Sequence, residues 1–208
     1  MRTTILLCST AMMVAACNTT PTKQARTPKP AQIEIEESVG FTIIEKSRID
    51  GDVRVDYDRA LKLLGQGDMQ QGSELLESVI EQAPDLSAPH IDLAIAYHRK
   101  GDLEAAERNL HSALEISPDH PIALNELGII YRKTARFGEA RQSYEAALAV
   151  YPGYHYARRN LAVLCDLYLA DLECALSNYE AYMTTVHSDD EAAMWLKDVR
   201  YRAGRMEN

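Results

Sequence analysis

The chain of 208 residues contains 31 acidic and 22 basic residues, a net charge of −9 at pH 7, and 46% of its residues are hydrophobic. Setting aside Arg2 and the three bases of residues 18–30 leaves 18 basic residues against 31 acidic ones from Ala31 onwards, a net charge of −13. Because phosphate binding needs a basic face, this balance argues against a nucleic-acid partner.

Residues 1–16 have the composition of a targeting segment that is removed from the mature protein. A charged start precedes an uncharged, mostly apolar run that is short for a membrane-spanning helix and ends in small residues. The junction Val14-Ala15-Ala16-Cys17 resembles a bacterial lipobox. The resemblance implies cleavage before Cys17 and acylation of that residue, with palmitate-type chains. In a host with two membranes, Asn18 implies sorting to the periplasmic face of the outer membrane.

Residues 17–30 follow as a linker that is rich in proline and threonine, with only basic charges. Such a segment cannot bury a core, so we expect it to hold the folded part away from the membrane. Contact of its three bases with anionic lipid is the alternative. The next segment, residues 31–52, is of uncertain structure: the alternation at Ile33 and Ile35 hints at an extended chain, and Phe41, Ile43 and Ile44 need an apolar surface. It either lies along the following helices or becomes ordered with a partner.

The main feature of the chain is a repeat with a period of 34 residues. The spans 87–120 and 121–154 place the same residue types at the same positions. The matched pairs are Leu93 and Leu127, Ala94 and Gly128, Tyr97 and Tyr131, Ala106 and Ala140, Ala113 and Ala147, and Pro118 and Pro152. This pattern resembles the tetratricopeptide-repeat family, in which each unit is a pair of antiparallel helices.

The resemblance implies an all-α solenoid of about four repeats, at 53–86, 87–120, 121–154 and 155–187, closed by a capping helix within 188–208. Small residues at positions 8 and 20 of each unit let the two helices approach closely, and the proline at position 32 ends the second helix. Gly101-Asp102 forms the inner turn of one repeat, and Ala135-Arg136 forms a less typical turn in the next.

Two cysteines remain in the folded part, Cys165 and Cys174. In the repeat frame they face each other across one helical hairpin, so a disulfide is predicted, which would suit an oxidising compartment. Two buried free thiols are the alternative. A zinc site is disfavoured, because no second pair of ligands has suitable spacing.

No enzyme is predicted. The six histidines are scattered, and the chain lacks a nucleophile elbow and a glycine-rich phosphate loop. We therefore expect no catalytic residue, cofactor or metal.

The resemblance instead implies a concave groove, lined by positions 2, 5, 9, 12 and 13 of each first helix. Read onto this chain, these positions predict an apolar floor with a basic rim. The residues are Ile91, Ile95, His98 and Arg99; Ile122, Asn125, Ile129, Arg132 and Lys133; and Tyr156, Arg159, Val163 and Asp166. The alternative for each isoleucine is packing against the next repeat.

These features predict a membrane-anchored lipoprotein that acts as a protein docking scaffold or assembly factor of an envelope complex. The resemblance extends to lipoproteins of pilus, secretin and TonB-type systems. The expected partner is another envelope protein with an apolar, partly acidic segment. The alternative is a non-catalytic regulator of a cell-wall enzyme, or a glycan-binding module. The oligomeric state is not predicted.

Overall fold

A computed structural model describes residues 50–205 and the backbone of residues 32–38 and 40–46. The predicted targeting segment, Cys17 and the linker lie outside the described residues. Before the helices, strands β1 (Gln32–Ser38) and β2 (Gly40–Lys46) pair as an antiparallel hairpin, with Ile35 opposite Ile43. This agrees with the extended structure that the alternation at Ile33 and Ile35 suggested.

The rest of the described chain is a series of helices joined by short turns. They are α1 (Gly51–Gly65), α2 (Met69–Gln82), α3 (Ser87–Lys100), α4 (Leu103–Ile116), α5 (Pro121–Lys133), α6 (Phe137–Val150), α7 (His155–Leu167), α8 (Leu172–Thr185) and α9 (Asp190–Arg202). Helix α1 begins two residues before the predicted start of the first repeat, because Asp50 caps it by accepting a hydrogen bond from the Asp52 amide.

Consecutive helices pack as antiparallel pairs, α1 with α2, α3 with α4, α5 with α6, and α7 with α8, and each pair contacts the next. We call α1, α3, α5, α7 and α9 the A helices, and α2, α4, α6 and α8 the B helices. Helix α9 packs on α8 as an A helix without a B partner. The predicted all-α solenoid is therefore confirmed for the array, and the hairpin adds two strands before it.

The inner turns share one backbone conformation. Gly101 has φ 84°, and the equivalent Ala135 and Ala170 have φ 60° and 52°, all in the left-handed region. An aspartate follows in most turns and caps the B helix; Asp102, for example, accepts from the Ala105 amide at 2.9 Å. Ala135 and Ala170 adopt a conformation that favours glycine, so these two turns are strained.

Small buried residues let the paired helices approach, as the repeat pattern predicted. Ala94 and Ala106 are buried between α3 and α4, and Gly128 and Ala140 between α5 and α6. One continuous core runs from α3 to α9 and ends with Leu196 and Val199 of α9. Burial of this core across successive pairs holds the array together.

Candidate functional site

The A helices are stacked side by side through polar contacts. The Tyr57 hydroxyl of α1 donates to Asp92 of α3, and the Asn160 side-chain amide of α7 donates to Oδ1 of Asn125 in α5 at 2.9 Å. Arg159 of α7 donates to Glu191 of α9 at 3.1 Å. Tyr57, Asn125 and Arg159 all occupy position 5 of their repeats. Position 5 therefore faces the neighbouring A helix.

This geometry corrects the predicted groove at two residues. Asn125 is only 2% exposed, and Ile91, also at position 5, is 4% exposed and belongs to the core. Both were predicted to line the groove. They do not, because Asn125 contacts Asn160 of the next A helix and Ile91 is buried in the core.

An apolar row follows position 9 of successive A helices. Ile95, Ile129 and Val163 pack against the core on one side and are partly exposed on the other. Leu61, at position 9 of the first repeat, is 37% exposed and extends the series. We call Leu61, Ile95, Ile129 and Val163 the apolar row. Sequence analysis missed Leu61 because the first repeat is degenerate, although the 34-residue spacing points to it.

The two other apolar residues predicted for the groove lie at the first turns of their helices. Ile122 is half-buried against the core near the start of α5. Tyr156, near the start of α7, is 56% exposed, and its ring meets those of Tyr154 and His155 with centroid distances of 6.0 and 4.1 Å. These aromatic rings lie at the end of the A helices opposite to the predicted basic rim.

A basic cluster lies at the carboxyl ends of α3 and α5. We define it as His98, Arg99, Arg132 and Lys133. Burial, together with the nearby charges of Lys133, Arg132 and Arg99, lowers the pKa of His98 below its ordinary value of 6.5, so the four side chains form one group. Arg99 and Lys133 are exposed, and the Arg132 guanidinium lies 5.7 Å from the centre of the Tyr168 ring.

The three permanent cations of the basic cluster have no acidic partner in contact. Within residues 50–205, none of the ion pairs involves Arg99, Arg132 or Lys133. A half-buried carboxyl, Glu126, lies nearby. Burial raises its pKa above 4.5, while a hydrogen bond from Asn125 at 3.2 Å and the charge of Arg99 oppose that rise. Within the described helical array, the basic cluster therefore remains available to an acidic ligand.

The C-terminal end of the predicted groove is occupied by α9. Arg159 contacts Asp189 and Glu191, and its guanidinium lies 4.9 Å from the centre of the Trp195 ring. Asp166 is likewise engaged by Arg202. These two predicted groove residues bind α9 instead of facing an open surface. The open part of the groove is thus the apolar row with the basic cluster beside it.

Cys165 and Cys174 are joined by a disulfide, with their Cα atoms 5.8 Å apart. The bond links the end of α7 to the start of α8, where the Asp171 carboxylate accepts a hydrogen bond from the Cys174 amide at 3.1 Å. Asp171 and the two sulfur atoms are close enough to surround a cation. Sulfur atoms that are bonded to each other provide no thiolate ligand, so the arrangement is unsuited to zinc.

The described histidines near the array have structural contacts. The His120 side chain accepts a hydrogen bond from the Ala123 amide and caps α5. His90 contacts Asn109 at 3.3 Å, and His111 contacts the Tyr131 hydroxyl at 3.3 Å. Each contact joins a histidine to a residue of its own helix pair or of the adjacent pair. These packing contacts account for the three histidines without a catalytic role.

The comparison of the sequence with known families agrees with the observed architecture. A family profile described as tetratricopeptide repeat matches residues 85–153, which cover α3 to α6. The helical array is a tetratricopeptide-repeat solenoid. Tetratricopeptide-repeat proteins bind protein partners, and the family is generally non-catalytic. No curated protein sequence matches the chain.

Solved structures share the tetratricopeptide-repeat fold at low sequence identity. A MamA protein of Desulfovibrio magneticus RS-1 is 17% identical with a TM-score of 0.66, covering 76% of this chain and 89% of its own. The pilF protein of Pseudomonas aeruginosa is 20% identical with a TM-score of 0.67, covering 73% and 68%. A thermophilic TPR protein in Thermus thermophilus is 22% identical with a TM-score of 0.61, covering 72% and 81%. At these identities the similarity shows the fold alone.

Among the described helices, none combines the length and the apolar composition that crossing a membrane requires.

Proposed function

We propose that this tetratricopeptide-repeat protein is a lipid-anchored scaffold of the cell envelope that docks another protein in its groove. The observation that carries the proposal is the pairing of the apolar row with a basic cluster that has no acidic partner in contact within residues 50–205, on a domain that is acidic overall. Apolar anchors of the partner would supply affinity, and its acidic residues would fix the register.

The proposed location outside the cytoplasm has two supports. The junction before Cys17 resembles a lipobox, and the disulfide between Cys165 and Cys174 suits an oxidising compartment. Acylation of Cys17 would tether the array by a linker of 13 residues, 18–30, which reaches about 40 Å when extended at about 3.1 Å per residue. A scaffold so tethered would meet partners close to a membrane surface, on the periplasmic face of the outer membrane. This placement suits an assembly factor of a pilus, secretin or TonB-type complex.

The test of the docking groove is a charged substitution on the apolar row. Ile95→Asp combined with Ile129→Asp buries no carboxylate completely, because both side chains are partly exposed, but it removes the apolar floor. We expect the variant to retain its helical circular dichroism and to lose the proteins that co-purify with the tagged wild-type chain from native membranes. The matched control is Gln142→Asp with Ser177→Asp, which adds the same charge at exposed positions of the B helices. Retention of the same partners by the groove variant would refute the docking site.

A second candidate function is recognition of a cell-wall glycan. The exposed ring of Tyr156, beside Tyr154 and His155, is the feature that favours it, since sugars stack on exposed aromatic rings. A peptidoglycan pull-down with the wild-type chain and with Tyr156→Ala tests this candidate. We expect little binding by either chain, and glycan binding that requires Tyr156 would make glycan recognition the better proposal.

A further inference from the structure

One member of the basic cluster, Arg132, also belongs to a small buried cluster with two tyrosines. The ring of Tyr144 in α6 passes close to α5 at Gly128, where an added Cβ atom would lie 2.5 Å from Cε1 of the ring. Burial raises the pKa of Tyr144 to about 12, and the neighbouring Arg132 guanidinium opposes that rise. Nη1 of Arg132 donates to the hydroxyl of Tyr168, just after α7, at 3.5 Å. We call Arg132, Tyr144 and Tyr168 the arginine–tyrosine cluster.

Two polar atoms of the arginine–tyrosine cluster are buried and lack a hydrogen-bond partner within residues 50–205. They are Nε of Arg132 and the hydroxyl oxygen of Tyr144. A guanidinium group can only donate hydrogen bonds, and a phenol has a proton to donate whatever its oxygen accepts. A buried donor without a partner costs free energy, and a charged donor costs more. The cluster therefore lacks an acceptor, and a negatively charged acceptor suits the guanidinium best.

The carboxylates of the neighbouring helices are engaged elsewhere. Glu126 accepts a hydrogen bond from Asn125 at 3.2 Å and lies six residues before Arg132, which is about 9 Å along α5. Asp171, before α8, accepts a hydrogen bond from Arg141 at 3.0 Å. Among the ion pairs of the described residues, none involves Arg132. The array itself thus supplies no acid to the arginine–tyrosine cluster.

The fourth repeat has a similar cluster in which the acid is present. Tyr179 is the eighth residue of α8, as Tyr144 is of α6, and both are fully buried. Burial raises the pKa of Tyr179, the nearby Asp166 carboxylate raises it further, and Arg202 opposes the rise. Asp166 and Arg202 form an ion pair. The third repeat therefore has the buried tyrosine and the guanidinium, whereas the carboxylate that accompanies them in the fourth repeat is missing.

We propose that the arginine–tyrosine cluster is a subsite of the groove that binds the carboxylate of an aspartate or glutamate side chain of the docked partner. The inference rests on the proposed docking function and names the group that the subsite recognises. The carboxylate accepts hydrogen bonds from Nε of Arg132 and from the Tyr144 hydroxyl. A carboxylate fits better than a phosphate, because the planar guanidinium matches its two oxygens and because the acidic domain repels a dianion more strongly.

The carboxylate reaches the subsite past Tyr168. The Tyr168 ring lies 5.7 Å from the Arg132 guanidinium and 4.9 Å from the ring of Phe137, and Tyr168 is 43% exposed. Exposed side chains change rotamer within nanoseconds, so the Tyr168 ring can move aside without any change in the helices. The two buried donors then become accessible from the side of the groove on which the basic cluster lies.

Binding of a small carboxylate to the full-length chain tests the subsite without the partner. The probe is N-acetylglutamate, and the neutral comparison is N-acetylglutamine at the same ionic strength. We expect only N-acetylglutamate to raise the midpoint of thermal unfolding. Tyr144→Phe, which removes only the hydroxyl, should abolish this shift and should raise the midpoint of the chain without probe, because an unpaired buried donor is gone. The matched control, Tyr179→Phe, should keep the shift.

Capture of the partner tests whether the subsite serves docking. Arg132→Lys keeps the positive charge and removes the planar donor group. We expect this variant to capture about tenfold less partner from native membranes than the wild-type chain, as the loss of a hydrogen bond to a charged group implies. The matched control is Arg108→Lys on the exposed face of α4, which should capture the partner as the wild-type chain does.

Three results would overturn the inference. They are equal shifts with N-acetylglutamate and N-acetylglutamine, a shift that survives Tyr144→Phe, and an equal or larger shift with inorganic phosphate at the same ionic strength. If N-acetylglutamate fails to bind while Ile95→Asp with Ile129→Asp still abolishes partner capture, the subsite is refuted and the docking scaffold stands. If the probe binds as expected while that variant retains every partner, the carboxylate site stands and docking over the apolar row is refuted.

Discussion

The close approach of α5 and α6 allows a specific prediction for a substitution at Gly128. A Cβ atom added at this position would lie 2.5 Å from Cε1 of Tyr144, well inside van der Waals contact. Tyr144 is fully buried, so its ring has no open space into which to move. Repeat two has Ala94 and Leu110 at the equivalent positions, so alanine takes the place of the glycine and leucine the place of the tyrosine. The pair in repeat three is therefore expected to be interdependent.

Two opposing effects set the result of Gly128→Ala. Alanine is favoured over glycine inside a helix by about 1 kcal/mol. Forcing an extra methyl group into a filled core costs about 1–3 kcal/mol. Since the gap of 2.5 Å leaves the ring no room, we place the clash in the upper half of that range. We expect a net loss of about 1–2 kcal/mol in the free energy of unfolding, seen as a lower urea midpoint with an unchanged slope.

Tyr144→Leu supplies the matched partner. Alone it should destabilise the chain by about 2–3 kcal/mol, because it leaves a cavity. Combined with Gly128→Ala it recreates the alanine–leucine pair of repeat two, and the double variant should lose at least about 1 kcal/mol less than the sum of the single losses. Two outcomes would refute the reasoning: Gly128→Ala raising the stability by the full helix-propensity gain, or additive losses in the double variant.

Three further predictions concern stability. Reduction of the disulfide, or Cys165→Ser with Cys174→Ser, should lower the free energy of unfolding by about 2–3 kcal/mol, as the loss of a short closed loop implies; an unchanged urea midpoint would contradict this. Ala135→Gly should raise the free energy of unfolding by about 0.5–1 kcal/mol, because glycine relieves the left-handed turn at φ 60°, and thermal unfolding checks it. Burial raises the pKa of Glu126 above 4.5, so its contribution to stability is full below pH 4.5 and is lost as the pH rises through the raised pKa. Glu126→Gln should therefore raise the urea midpoint at neutral pH, whereas Glu139→Gln should lower it, because Arg136 lowers the pKa of Glu139.

The repeat pattern predicted the array because its determinants are local. Small residues at two positions per unit and a turn between the helices are enough to define a pair of antiparallel helices. Successive pairs with the same pattern then stack in the same arrangement. Ala135 illustrates the limit of this reasoning. The sequence indicated a less typical turn, but its left-handed backbone follows from the geometry that all the inner turns share, and alanine itself does not favour it.

The groove was predictable only in part because it depends on contacts between repeats. Position 5 seemed accessible from the family pattern, yet Asn125 is covered through its hydrogen bond to Asn160 of the next A helix. Arg159 and Asp166 are engaged by α9, which lies about one repeat further along the chain. Periodicity within one repeat contains no information about these lateral contacts, since they depend on how far each helix is displaced from its neighbour.

An acidic domain can still attract an acidic segment, because the charges are arranged unevenly. Many of the bases elsewhere in the array are matched: Arg136 lies 2.7 Å from Glu107, and Arg200 lies 2.9 Å from Glu180. Among the described residues of the array, the basic cluster beside the apolar row has no such contacts. At physiological salt, charges more than about 8 Å apart are largely screened, so the net charge of the domain matters less in the groove than the nearest cations. Raising the salt concentration should therefore weaken docking in the groove, whereas a repulsion that was set by the net charge would make docking stronger.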